Sequence, residues 1–208
     1  MAERAVDRAW LWGVAIASVL IALPAYRYLI PGAPGGGSGV LANRFTHIGA
    51  LTVHAGFAAT ALLIGPFQFF RGIRMRHRIL HRRLGTAYVI CVMAAGLAGL
   101  LLSVGNTSGP VAGAGFGLLA VIWLVCTANA WRLATRRAFA AHERWMIRSF
   151  ALTLAAVTLR IYMPIAGVLH LEMPAAYIAI AWLCWIPNLI AAEIYLALRP
   201  DRLAGVSV

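Results

Sequence analysis

Apolar residues run along this chain in stretches of about twenty or more, each ending in a short connector rich in arginine or in glycine and proline. Such runs are too long for buried strands. A helix rising about 1.5 Å per residue needs about 20 apolar residues to cross the hydrocarbon core of a bilayer. Windows of that length fall at about 9–31, 45–70, 84–104, 112–133, 146–170 and 174–197. The pattern predicts an all-α, polytopic membrane bundle of six transmembrane helices forming a single domain over residues 1–208.

Arg4 and Arg8 ahead of the first run invite comparison with a signal peptide. The run is longer than a usual signal core, and Pro24, Tyr26, Arg27 and Tyr28 at its end suit a membrane interface better than a small-residue cleavage site, so the first helix is expected to be retained. The following PGAPGGGSG reads as a flexible connector that ties helix 1 loosely to the other five.

Composition agrees with this class: 62% of residues are hydrophobic, 12% are charged, and mean hydropathy is +0.82. The formal charge of +12 rests on 18 arginines, with no lysine. They cluster between apolar runs and form no continuous basic stripe, which argues against a nucleic-acid surface. Arg71, Arg74, Arg76, Arg78, Arg82 and Arg83 follow the second run, and Arg132, Arg136, Arg137 and Arg144 follow the fourth. The remaining connectors hold Arg44 alone. By the positive-inside rule the two arginine-rich loops and both termini are cytoplasmic, in agreement with Arg199 and Arg202 in the tail. Arginine without lysine, beside abundant alanine and glycine, suits a GC-rich bacterial source and so the bacterial inner membrane. The same loops attract anionic lipid headgroups, so the bilayer is the expected partner, with other membrane proteins or a second copy of the chain left open.

Depth along each predicted helix sorts the polar residues. Counted from the outer ends, His54 lies ~14 Å and Arg160 ~15 Å into the bilayer, and Thr158, Tyr162 and Asn188 fall near the same level. His54, Arg160, Tyr162 and Asn188 are therefore the candidate ligand-binding residues. Glu193 lies ~28 Å in, too far from Arg160 to neutralise it, and is expected to form a structural ion pair with Arg148 or Arg144. A lone cation at mid-membrane costs at least ~2.5 kcal/mol, so Arg160 is expected to face the bundle interior. Two readings stand side by side: Arg160 donates to backbone carbonyls freed by Pro164, or it meets an anionic or electron-rich ligand beside His54.

Among the histidines, His81 and His142 lie near the inner ends of helices 3 and 5, at matching depth, and are candidates for holding one haem or metal ion. His54 has no mate at its level. His47 and His170 match only at the outer interface, and His77 reads as a solvated loop residue. Cys91, Cys126 and Cys184 fall on three helices without CxxC spacing and read as apolar packing residues. Gly96 and Gly99 face Gly113, Gly115 and Gly117 as small-residue surfaces that predict close packing of helices 3 and 4.

The ordered text HAGFAATALLIGPFQF, HRILHRRLGTAYV, AAGLAGL and HERWMIRSFALTLAAVTLR resembles an uncharacterised bacterial family of predicted multi-pass membrane proteins that carries a domain-of-unknown-function label. The likeness spans about residues 45–165, helices 2 to 5. It implies that His54, Gly65, Pro66, Gln68, His81, Gly85, Tyr88, His142, Trp145, Arg148, Ser149 and Arg160 are motif positions, and it implies no reaction.

Three classes of function follow. A redox protein would hold b-type haem or quinone through His81 and His142, or through His54 and Arg160. An accessory or scaffold subunit would use Arg160 and the glycine faces for packing alone. A transporter would use the His54–Arg160 layer as a midplane substrate site, although the six spans show no internal repeat. Sequences of the GxSxG, HExxH and Walker types are missing, which leaves hydrolases and phosphate-binding loops without support. Whether the chain is an enzyme stays open.

Overall fold

The computed structural model describes residues 2–30 and 48–198. Among these the chain is helical and holds no strand. The helices are α1 (Ala2–Ala25), α2 (Ile48–Ile64), α3 (Arg71–Arg76), α4 (Arg78–Ser103), α5 (Pro110–Thr135), α6 (Phe139–Thr153), α7 (Ala155–Val168), α8 (Met173–Leu183) and α9 (Ile186–Ala197). Turns of 3-10 helix at Tyr26–Leu29 and Pro66–Phe69 prolong α1 and α2. Among the described residues, six segments are long and apolar enough to cross a membrane: Ala9–Leu29, Gly49–Phe69, Arg78–Ser103, Pro110–Thr135, Phe139–Val168 and Met173–Ala197. Only 22–39% of each segment's apolar window is buried within the protein, so most of that apolar surface needs lipid around it. The glycine–proline connector, His47 and the arginines of the tail lie outside the described residues.

Helices α4 and α6 begin six and seven residues before the apolar windows expected at 84 and 146. Helical hydrogen bonding does not stop where apolar text stops. His81 N–H meets the His77 carbonyl at 2.9 Å, and His142 N–H meets the Ala138 carbonyl at 2.9 Å. Arginine stems lie along such interfacial turns while their charge reaches the headgroups. The break in the fifth span does not lie at Pro164. Helix α7 continues through Pro164, and the interruption lies at Leu154, whose carbonyl accepts from Val157 at 2.9 Å. In the sixth span the break falls at Cys184–Trp185, because Pro187 has no N–H to offer the Leu183 carbonyl.

Helix α2 packs on α4, α4 on α5, and α5 on α6, while α1 lies against α2 and touches α7. Helix α8 leans on α5, and α9 leans on α6. The approach of α4 to α5 has the closeness their glycines predict: a Cβ on Gly113 would stand 2.6 Å from the Ser103 carbonyl oxygen. Helices α5 and α7 end alike, in residues other than glycine with left-handed backbone, Arg137 (φ 59°) and His170 (φ 52°). In each case the next N–H reaches back to close the last turn, Ala138 to Leu133 and Leu171 to Ala166, both at 3.0 Å.

Candidate functional site

His54 sits in the middle of α2, where α4 presents Gly99 to it. A Cβ at Gly99 would stand 3.2 Å from Nδ1, so any larger residue there would press the imidazole aside by a few tenths of an ångström. From there Nδ1 reaches the Ala95 carbonyl at 2.9 Å. A carbonyl only accepts, so Nδ1 carries the proton and Nε2 of the neutral ring keeps a lone pair. Arg160, on α7, donates from one Nη to the Ala156 carbonyl at 3.1 Å. That acceptor lies one turn back on the same helix and is not the carbonyl freed by Pro164. A guanidinium has five N–H donors, and the ion pairs formed among the described residues, Arg74–Glu143 and Arg148–Glu193, do not include Arg160.

His54 and Arg160 line one cavity of about 300 Å³. Tyr28 from the turn after α1, Trp123, Thr153 and Tyr177 also border it, and alanine, leucine and glycine make up most of the rest. The cavity thus sets His54 and Arg160 in a wall that is largely apolar, with Ser103, Asn106 and Thr107 adding polar groups. Tyr162 and Asn188 are not part of the lining. Tyr162 packs against the main apolar cluster. Asn188 Nδ2 donates to Thr158 Oγ1 at 2.9 Å and to the Cys184 carbonyl at 3.1 Å, which ties α9 to α7 across the break in the sixth span. Cys91, Cys126 and Cys184 are buried free thiols.

At the arginine-rich end the polar side chains pair off differently. Arg148 binds both carboxylate oxygens of Glu193 through Nε and Nη2, linking α6 to α9, and its guanidinium lies 5.1 Å from the centre of the Trp145 ring. Arg74 reaches Glu143 at 3.0 Å and fastens α3 to α6. His142 Nδ1 donates to the Ala130 carbonyl at 2.8 Å, again leaving Nε2 with its lone pair. His81 Nδ1 is buried without a hydrogen-bond partner. Gln68 is 5% exposed, and neither atom of its amide head has a partner.

Between the two ends lies a network that depth counting misses. Tyr88 Oη meets Ser149 Oγ at 2.9 Å and Thr153 Oγ1 at 2.7 Å; Trp123 Nε1 donates to Thr153 Oγ1 at 2.9 Å; and Thr127 Oγ1 meets Ser149 Oγ at 2.7 Å. These groups belong to α4, α5 and α6 and are buried. A signal was present in the text: Ser149 and Thr153, and Trp123 and Thr127, are polar-tipped pairs four residues apart, on one face of a helix. Through Trp123 and Thr153 the network forms part of the cavity wall.

The family of predicted membrane proteins DUF2306 matches residues 51–196, well over half of the chain, and the chain belongs to that family. The match begins after α1, so the wall that Tyr28 gives the cavity lies outside the matched stretch. No curated protein and no solved structure matches the chain.

Proposed function

We propose that this member of the DUF2306 family binds a lipid-soluble redox cofactor of the quinone class in the cavity between His54 and Arg160. The observation that carries the reading is the pairing of His54 with Arg160 in one largely apolar cavity. Nε2 of His54 accepts a hydrogen bond from a quinol hydroxyl, and the unused N–H groups of Arg160 donate to the second ring oxygen. The alanine and leucine lining suits the flat ring and the start of an isoprenoid tail. A volume near 300 Å³ falls at the lower end of the range of small-molecule sites. The positive-inside rule further supports cytoplasmic placement of the arginine-rich end and of both termini, in a bacterial inner membrane.

One observation also favours b-type haem. A ring nitrogen donated to a backbone carbonyl is the usual support of a metal-ligating histidine, and Arg160 would then meet a propionate. Solvent extraction of the detergent-purified protein, with absorption spectra before and after dithionite, separates the two. Quinone recovered near one equivalent, and lost in both His54→Ala and Arg160→Ala, is the expected result. A Soret band that sharpens on reduction would replace quinone by haem. A colourless, quinone-free protein that also fails to take up added quinone would overturn both, and leave the accessory and transport readings.

A further inference from the structure

We propose that Gln68, His81 and His142 form a second site, at the arginine-rich end, for a divalent transition-metal ion. Three separate segments supply these residues: the turn after α2, the first turns of α4, and the first turn of α6. Gln68 Oε1 lies 3.4 Å from where a Cβ on Gly85 would stand, and Gly85 follows His81 by one helical turn on the same face of α4. The Tyr88–Ser149 bond of 2.9 Å joins α4 to α6 seven residues on from His81 and His142, which sets the first turns of the two helices side by side, and the Ala130 carbonyl fixes the His142 ring.

The atoms left over at this place name the chemistry. A buried amide oxygen and a buried imidazole nitrogen without partners are costly in any protein interior, and more so at membrane depth. Nε2 of His142 and Oε1 of Gln68 both present lone pairs that a cation satisfies together, and the amide N–H of Gln68 is left to donate to a water on the bound ion. Imidazole nitrogen with a carbonyl oxygen is a donor set for zinc, copper or nickel more than for magnesium or calcium. The carbonyl-anchored Nδ1 of His142 fixes the ring with Nε2 forward, as an outer support does for a metal-bound histidine. Arg74 has its charge matched by Glu143.

The test uses the full chain in detergent, stripped with a chelator and titrated with cobalt(II). One equivalent is expected to bind with visible d–d bands and to be displaced by zinc. Gln68→Leu, His81→Ala and His142→Ala should each weaken binding by more than the ~10–100-fold typical of losing an outer support. Gln68→Glu should retain it, and the exposed His77→Ala should leave it unchanged. X-ray absorption on the zinc-loaded wild type, which needs no variant to fold, should show two imidazoles in the first shell. Lack of cobalt binding, fewer than two imidazoles, or wild-type affinity in all three site variants would overturn the site and leave a buried water between these groups.

Discussion

Replacing Thr153 with valine removes one oxygen from the centre of the hydroxyl network and hardly changes the side chain's shape. Two interhelical bonds are lost, from Tyr88 at 2.7 Å and from Trp123 at 2.9 Å. Such bonds average ~0.6 kcal/mol inside membranes, so together they contribute ~1.2 kcal/mol. The loss also leaves the buried indole N–H of Trp123 without an acceptor, which adds ~1–3 kcal/mol. The expected total is about 2–4 kcal/mol. Tyr88→Phe also loses two bonds, but Ser149 keeps Thr127 and Thr153 keeps Trp123, so nothing is left unpaired and about 1.2 kcal/mol is expected. The measurement is reversible unfolding of both variants in mixed micelles, titrated with a denaturing detergent and followed by tryptophan fluorescence. A Tyr88→Phe cost equal to or above that of Thr153→Val would refute the argument, because it would mean that the stranded indole carries no penalty.

Gly99→Ala should push the His54 ring off the Ala95 carbonyl and lower the cofactor retained on purification, whereas Gly49→Ala, with open space at its Cβ, should change nothing; equal retention in both would sink the His54 placement. Arg137→Gly relieves a left-handed residue at the end of α5 and should stabilise the protein by about 0.5–1 kcal/mol in the same unfolding assay. Cysteine labelling of intact cells should reach residue 107 from outside and leave 76 and 138 protected; labelling at 76 from outside would reverse the proposed orientation.

Six spans were legible because bilayer crossing imposes one requirement, a long apolar run, and the chain meets it six times. The helix starts were less legible. Hydropathy marks where apolar text begins, while the hydrogen-bond ladder of α4 already runs through Arg78, His81 and Arg82. The break in the sixth span had a visible cause in Pro187. That in the fifth did not, since Leu154 carries no residue that forbids helix and Pro164, which invites a kink, is absorbed within α7.

Depth is fixed by a constant rise, so counting residues could bring His54 and Arg160 to one level, and both border the same cavity. Direction around the helix is a separate coordinate. Tyr162 shares the depth of Arg160 but lies two residues on, about 200° around the axis, so it turns to the apolar cluster instead. Asn188 shares the depth too, and is drawn into bridging the interrupted sixth span. The residues that depth could not find are those whose role depends on neighbours from other helices. Thr153 becomes a hub only when Trp123 and Tyr88 arrive from α5 and α4, and Gln68 becomes conspicuous only once its turn is seen buried with no partner. Buried amides are ordinarily satisfied. An amide left wholly unpaired at the bundle's basic end, against Gly85 of α4, therefore carries more information about a bound species than its place in the sequence could.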